Sequence, residues 1–162
     1  MKKIKLSENL ELSQVVMGCM RIADSNLTEN ELLDLVEKCL DMGVTSIDHA
    51  PVYGGYTCEK IFGDAVLRKR PELRDKMQLI TKAGIVCPGH YGNKTIYYKS
   101  TKEEILKEMD ESLEKLGTDH VDLLLIHRPD PLADPAETAD ALETVVKQGK
   151  AGKSPECWCF KL

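Results

Sequence analysis

The alternation of short apolar segments with amphipathic stretches is the feature that most constrains how this chain can fold. Four segments have the length and composition of buried strands: QVVMG (14–18), VTSID (44–48), MQLITK (77–82) and VDLLLIH (121–127). Each is followed by a stretch whose apolar residues recur at helical spacing. Strands that alternate with helices in this way form βαβ units, and their strands are parallel. The sequence therefore predicts an α/β fold with a parallel sheet.

Local signals set the boundaries of the other predicted elements. A capping box, in which Ser or Thr precedes Glu by three residues, begins the first and third helices. The pairs are Thr28 with Glu31, and either Ser100 with Glu103 or Thr101 with Glu104. The remaining elements are a hairpin at 4–6 and 10–12, a second helix at 58–69 and a fourth helix at 134–148. Four βα units are thus expected to follow a short N-terminal hairpin.

Composition excludes several classes of function. The 22 basic and 27 acidic residues give a net charge of −5, which argues against a nucleic-acid-binding surface. No apolar run approaches the ~20 residues that span a bilayer, and the first residues, MKKIKLSENLEL, lack the core of a signal peptide. The six cysteines form no CxxC pair, so neither a disulfide framework nor a zinc site is expected. These features predict a single cytoplasmic domain.

Ionisable residues fall at the ends of the predicted strands. Asp48, Lys82 and His127 each occupy the last strand position, and Tyr53 lies in the loop after the second strand. In parallel α/β sheets these strand ends share one face, where barrel enzymes build their active sites. One polar residue at a strand end is more often a helix cap or loop anchor than a catalyst. Four of different chemistry on one face indicate a catalytic site.

The chemistry of these four residues is complementary. A free phenol, with a pKa near ~10, is a poor acid at neutral pH, but a neighbouring ammonium favours its phenolate. Asp48 can hold Lys82 in its charged form, and His127 can hydrogen-bond a substrate oxygen or pass a proton. Tyr53 can then give a proton to a carbonyl oxygen as negative charge develops there. The hydride for such a reduction must come from a cofactor.

A metal-dependent hydrolase is a weaker alternative for the same residues. It would use His49, His120 and His127 with Asp48 as ligands. Asp48 and His49 are adjacent in a strand and therefore point to opposite faces, and His120 lies at the wrong end of its own strand. No metal site is therefore predicted.

Three stretches resemble the signature regions of the aldo-keto reductase family in order and spacing. They are SIDHAPVYGGYTCEKIFGDAV (46–66), LITKAGI (79–85) and SLEKLGTDHVDLLLIHRPD (112–130), and the resemblance extends over roughly residues 4–150. It implies a (β/α)8 TIM barrel that uses NADPH to reduce a small aldehyde or ketone. It also implies that Tyr53 is the proton donor and that Asp48, Lys82 and His127 complete a catalytic tetrad.

The same resemblance extends to the cofactor and the substrate mouth. It places MGCMR (17–21) at the end of the first strand, so that Gly18, Cys19 and Met20 border the nicotinamide beside Asp48. The loop at 84–100 lies where the family varies its substrate mouth, which leaves the substrate open. His49 and Tyr56 are interpreted as loop-packing residues or, less favourably, as residues of that mouth.

The length and the ending of the chain depart from the family pattern. A (β/α)8 barrel needs about 250 residues, so residues 1–150 are interpreted as a truncated domain, the N-terminal half of the barrel. The last residues, AGKSPECWCFKL (151–162), hold the only Trp and two cysteines and are interpreted as an aberrant tail. With permitted synonymous codons, the bases read one position later from Lys153 encode K-V-R-N-A-G-V-S-N, which contains the start of the family's fifth-strand motif G-V-S-N-F. A frameshift near Lys153 is therefore favoured over a divergent natural terminus or a deliberate cut.

Two functions from different classes remain open at this point. The first is an NADPH-dependent carbonyl reductase whose truncated chain is inactive alone. The alternative is a non-catalytic, cofactor-binding or regulatory relative, since barrels of this family also serve as regulatory subunits. In either case the outer strands of four βα units have unpaired edges, so self-association is expected.

Overall fold

The structure, a computed structural model, describes residues 1–152. Its strands and helices are, in chain order, β1 (Lys3–Lys5), β2 (Glu11–Ser13), β3 (Val16–Gly18), α1 (Glu29–Asp41), β4 (Ser46–Asp48), α2 (Cys58–Phe62), β5 (Gln78–Ala83), β6 (Ile85–Val86), β7 (Tyr97–Tyr98), α3 (Lys102–Leu116), β8 (Leu123–Ile126) and α4 (Pro135–Lys147). The antiparallel β1–β2 hairpin precedes the βα units, as predicted.

The main sheet contains four parallel strands in the order β3-β4-β5-β8. Its register places Gly18 opposite Asp48, and Lys82 opposite Leu125. Strand order therefore follows chain order, and a helix follows each of these strands. This arrangement confirms the predicted α/β fold and is that of a partial barrel.

Capping contacts fix the helix ends. The Thr28 side chain accepts a hydrogen bond from the Glu31 amide and the Glu31 carboxylate accepts one from the Thr28 amide, so the predicted capping box is present. Thr101, rather than Ser100, caps α3. At the other end of α3, Gly117 adopts φ 72°, a left-handed conformation that closes the helix at little steric cost.

Two segments differ from the predicted elements. The helix predicted at 58–69 is α-helical only over α2 and continues as a π-helical turn over Gly63–Leu67. A side chain at Gly63 would collide with the backbone carbonyls of Lys115 and Leu116, so α2 and α3 pack with backbone against backbone here. The loop at 84–100 contains the small β6–β7 hairpin, whose two-residue strands are too short to give a periodic signal.

The core lies between the sheet and the helices that cover its outer face. Its largest fully buried apolar side chains are Phe62, Ile47, Met77, Leu79, Ile105, Met109, Leu116 and Leu124. Within residues 1–152, no helix is long and apolar enough to cross a membrane.

The described chain continues past α4 into the sheet. Ala151 is buried and forms a parallel bridge with Val121, next to β8. The segment that was interpreted as a tail from residue 151 onward thus begins against the sheet. Residues 153–162, and with them the frameshift prediction, lie outside the described residues.

Candidate active site

Three of the predicted site residues lie at neighbouring strand ends. Asp48 is the last residue of β4, and Lys82 is the penultimate residue of β5. The sequence placed Lys82 last, but the His127 amide donates a hydrogen bond of 2.8 Å to the Ala83 carbonyl and extends the pairing by one residue. His127 directly follows β8. The structure therefore brings these residues together at the carboxyl ends of three strands.

The Lys82 ammonium is the centre of the cluster. Its Nζ donates to Asp48 Oδ1 at 2.7 Å, to the Tyr53 hydroxyl oxygen at 2.8 Å and to the His49 carbonyl oxygen at 2.8 Å. The Tyr53 hydroxyl in turn lies 3.2 Å from Asp48 Oδ2, to which it donates. An ammonium has three protons, and all three have acceptors here. With only 13% of the Lys82 side chain exposed, this geometry fixes the ammonium against the phenol.

The loop after β4 brings Tyr53 back over the strand ends. The Tyr53 amide donates to the Ala50 carbonyl at 3.1 Å, which closes a turn directly after the strand. Gly54 and Gly55 follow with φ of 56° and 61°, a left-handed conformation that glycine adopts without a Cβ penalty. A Cβ on Gly54 would also lie 2.6 Å from the Cys58 sulfur. Glycine at these two positions therefore suits the turn that brings Tyr53 back toward Lys82.

His127 completes the group from β8. Its ring meets the Tyr53 ring edge to face, with centroids 5.9 Å apart and an interplanar angle of 86°. Burial of the half-buried imidazole, followed by the positive charges of Lys82 and Arg128, lowers the pKa of His127. The imidazole is therefore neutral at pH 7. In that form it offers one N–H donor and one nitrogen acceptor beside the Tyr53 ring.

The residues expected at a cofactor lie beside Asp48 at the end of β3. Gly18 is exposed, and no atom lies within 4 Å of where its Cβ would be. Met20 is 49% exposed. A flat ring can therefore approach the bare backbone of Gly18 next to the tetrad. Cys19 differs, because its side chain is fully buried in the core and burial raises its thiol pKa, so the thiol is not presented to a ligand.

His49 and Tyr56 have packing roles. The His49 ring is fully buried on the helix side of the sheet, with its centroid 4.6 Å from that of Phe62. Burial lowers the pKa of His49 to about 3. The Tyr56 ring stacks on His90 at 3.9 Å, and its hydroxyl accepts the Cys87 amide at 2.8 Å. Tyr56 thus fastens the loop at 84–100, which corresponds to the loop-packing interpretation.

The structure gives the metal-dependent alternative no support. Asp48 faces Lys82, whereas the His49 ring faces the helices and His120 pairs with Asp119 at 2.6 Å. Among the described residues, no group of three or more His, Cys, Asp or Glu side chains could hold a metal ion.

Sequence reasoning missed two buried carboxyl groups behind the site. Glu59 Oε1 accepts a hydrogen bond of 2.7 Å from the Thr81 hydroxyl, and Glu108 Oε2 accepts one of 2.7 Å from the Gly84 amide. Both reach β5 from the helices on the opposite face to Lys82. A signal was present in α3, where Glu104, Glu108 and Ser112 recur every four residues beside the apolar stripe.

Comparisons with known proteins show the family of the chain. The model of the Aldo/keto reductase family matches residues 14–153. The chain is 45% identical over 152 residues to an uncharacterized oxidoreductase, YcsN, of Bacillus subtilis, covering 93% of this chain and 50% of that protein. It is 46% identical over 153 residues to a 6-dehydroglucose reductase of Agrobacterium fabrum, covering 93% of this chain and 51% of that protein.

Solved structures show the same fold. The holo form of the aldo-keto reductase AKR11C1 from Bacillus halodurans superposes with a TM-score of 0.77 at 27% identity, covering 93% of this chain and 48% of that one. The glycerol dehydrogenase AKR11B4 from Gluconobacter oxydans superposes with a TM-score of 0.76 at 30% identity, covering 93% of this chain and 46% of that one. The chain spans about half the length of the relatives it matches. Because the family model covers most of its residues, this chain belongs to the aldo/keto reductase family.

Proposed function

We propose that this chain carries the catalytic tetrad of an NADPH-dependent oxidoreductase that reduces an aldehyde or ketone to an alcohol. One observation carries the proposal: the Lys82 ammonium lies 2.8 Å from the Tyr53 hydroxyl and 2.7 Å from Asp48. A phenol held in this way suits a general acid, because a neighbouring positive charge stabilises the phenolate that is left after proton transfer.

Each residue of the tetrad has a distinct part in the proposed reaction. Tyr53 gives its proton to the carbonyl oxygen while negative charge develops there. Lys82 stabilises the resulting phenolate, and Asp48 balances the charge of Lys82 and orients it. The neutral His127 donates a hydrogen bond to the substrate oxygen and so sets its position.

The residues at the end of β3 fit the nicotinamide part of the cofactor. Bound NADPH supplies the hydride that no side chain can provide. Gly18 offers open backbone for the ring, and Met20 offers an exposed apolar side chain beside it. Asp48 is paired in register with Gly18, which sets the tetrad next to this surface. Cys19 contributes through its backbone only, since its side chain is in the core.

The substrate proposal comes from the relatives. Two proteins named 6-dehydroglucose reductase are 46% and 37% identical to this chain, and one named L-glyceraldehyde 3-phosphate reductase is 33% identical. We therefore propose the carbonyl group of a sugar as the substrate. 6-Dehydroglucose is the first compound to test, with L-glyceraldehyde 3-phosphate and a simple aldehyde for comparison.

A chimera tests the function directly. Residues 1–152 are joined to the remaining part of the Agrobacterium fabrum relative, and NADPH oxidation is followed with each carbonyl compound. Turnover that depends on Tyr53 supports the proposal. NADPH binding without turnover of any carbonyl would instead favour a non-catalytic, cofactor-binding or regulatory protein.

The 162-residue polypeptide by itself is expected to self-associate and to leave NADPH unoxidised. The outer strands β3 and β8 lie at the two ends of the four-stranded order. Within the described residues, β8 is flanked on its free side only by the bridge of Val121 to Ala151. Unpaired strand edges pair readily with another chain. Analytical sedimentation with an NADPH-oxidation assay tests this expectation, and a monomer that reduces aldehydes would refute it.

A cytoplasmic location remains part of the proposal. Cys19, Cys39, Cys58 and Cys87 are free thiols, which suits a reducing compartment.

A further inference from the structure

Strand β5 is held from its helix side at two points that flank Lys82. The Thr81 hydroxyl, directly before Lys82, donates to Glu59 Oε1 at 2.7 Å. The Gly84 amide, two residues after Lys82, donates to Glu108 Oε2 at 2.7 Å. The Lys82 side chain itself projects to the opposite face and holds Asp48 and Tyr53. The strand is thus fastened by carboxyl groups directly behind its functional residue.

The contact with Gly84 requires a special backbone. Gly84 has φ 99°, a conformation that side-chain-bearing residues rarely adopt, and an added Cβ would lie 2.8 Å from Ser100 Oγ. This conformation turns the chain where β5 ends, and the Gly84 amide is bonded to the Glu108 carboxyl group. The glycine and the glutamate therefore form one unit, although they are 24 positions apart.

Burial of the Glu108 carboxyl group at this position is energetically unfavourable. It is 2% exposed, and the negative groups facing it are Glu104 and Glu111 from its own helix and Glu59 from α2. Burial, followed by these charges, raises the pKa of Glu108 to about 7, although the Gly84 amide acts against the rise. The Lys99 ammonium is bound to the Glu104 carboxylate at 2.6 Å. A well-packed apolar side chain is often at least as stable as such a group, so stability alone does not explain it.

We propose that Glu108 is a positioning residue for the reductase site: by holding the Gly84 amide it fixes the end of β5 and so keeps the Lys82 ammonium on the Tyr53 hydroxyl. The catalytic role of Glu108 rests on the proposed function, but the position of the Lys82 ammonium can be measured without turnover. Loss of the anchor lets the strand end move, and the three hydrogen bonds of Lys82 Nζ lengthen together.

Competitive acetylation of the intact chain with acetic anhydride measures how firmly Lys82 is held. Mass spectrometry gives the rate at Lys82 relative to Lys147, whose side chain is 73% exposed. Glu108→Leu removes the acceptor and is expected to raise this ratio about five- to tenfold, the effect of losing one hydrogen bond. Glu108→Gln keeps an acceptor oxygen and is expected to leave the ratio within twofold at pH 8. Glu114→Gln, an exposed change on the same helix, is the matched control.

A pH series separates positioning from general loosening. In the parent, the Lys82/Lys147 ratio is expected to rise as the pH falls through about 7, because protonated Glu108 is a weaker acceptor for the Gly84 amide. Glu108→Gln has no carboxyl group there and is expected to give a flat profile. Identical profiles in parent and Glu108→Gln would overturn the proposal even if Glu108→Leu did not fold. So would an unchanged ratio in a folded Glu108→Leu variant.

In the chimera, Glu108→Leu is expected to lower kcat roughly tenfold with little change in KM, since substrate contacts remain while the proton donor is misplaced. A parent chimera without activity would refute the proposed function, whereas the acetylation ratio would still decide the role of Glu108.

Discussion

The two faces of strands β4 and β5 bury ionisable groups in opposite ways. On the face that carries the site, Asp48 and Lys82 lie 2.7 Å apart, and each charge has an opposite charge beside it. On the helix face, the Glu108 carboxyl group accepts from the Gly84 amide and faces the carboxyl groups of Glu59, Glu104 and Glu111. Both ring nitrogens of His49 lack a hydrogen-bond partner within the described residues. One face stabilises charge, and the other disfavours it.

The pKa values of the groups on the helix face follow from this difference. Burial raises the pKa of Glu108 to about 7 and lowers that of His49 to about 3, so both groups shift toward their neutral forms. The strands between the two faces are single layers of backbone. Opposite electrostatic environments can therefore lie within a few ångströms when one set of side chains is paired and the other is only desolvated.

The largest expected effect is on the site face. Tyr53→Phe in the chimera removes the proton donor but keeps its ring, so turnover is expected to fall by about 10² to 10⁴ while NADPH affinity barely changes. Steady-state kinetics and a cofactor titration measure the two quantities. Glu114→Gln, an exposed change on α3 away from the strand ends, is the control. Undiminished reduction by Tyr53→Phe would remove Tyr53 from its proposed role.

The next prediction concerns His49 on the helix face. Its pKa is lower in the folded chain, at about 3, than the ordinary value of 6.5 that it has when unfolded. The unfolded chain therefore binds a proton first on acidification, and the stability due to neutral His49 is present above pH 6.5 and lost between pH 6.5 and 3. At 1.36 kcal/mol per pKa unit, the loss approaches about 5 kcal/mol. Urea unfolding is expected to show a shallower acid decline for His49→Leu, and parallel declines would contradict the prediction.

Breaking the pair on the site face gives a comparable but smaller loss. Lys82→Met leaves the largely buried Asp48 carboxylate without the ammonium that balances its charge. This unpaired charge is expected to lower the free energy of unfolding by about 3 kcal/mol. The free energy of unfolding from urea titration measures this loss. The double variant Asp48→Asn with Lys82→Met is expected to recover most of it. Equal losses in the single and double variants would show that the pair carries no coupling.

The smallest expected effect concerns Glu108, whose contribution to stability changes with pH in the opposite direction to that of His49. The pKa of Glu108 is raised from 4.5 to about 7 on folding, so its contribution to stability is complete below pH 4.5 and is lost as the pH rises to about 7. Glu108→Gln does not titrate there. Relative to the parent, its free energy of unfolding is expected to increase by about 2 to 3 kcal/mol across this range. A constant difference between the two proteins from pH 4.5 to 7.5 would contradict the prediction.

The site face was more predictable from sequence than the helix face for a physical reason. Parallel strands bring their carboxyl ends together whatever the side chains are, so Asp48, Lys82 and His127 could be grouped once the strands were recognised. The resemblance added Tyr53, whose position depends on a loop that local periodicity does not describe. Glu59 and Glu108 could not be placed in this way, because their contacts depend on how α2 and α3 pack. That packing includes a close approach at Gly63, where a Cβ would collide with the carbonyls of Lys115 and Leu116.

The order of the strands also bears on how the chain folds as it is synthesised. After β3, each strand of the main sheet pairs with the main-sheet strand before it, and the paired residues are 30, 32 and 43 positions apart. When such a strand leaves the ribosome, the strand with which it pairs has therefore already been synthesised. The entropy of closing each loop increases only slowly with length, so successive pairings have similar barriers. Assembly can thus proceed as a series of equal additions, in which a nascent sheet is always open on the side where the next strand arrives.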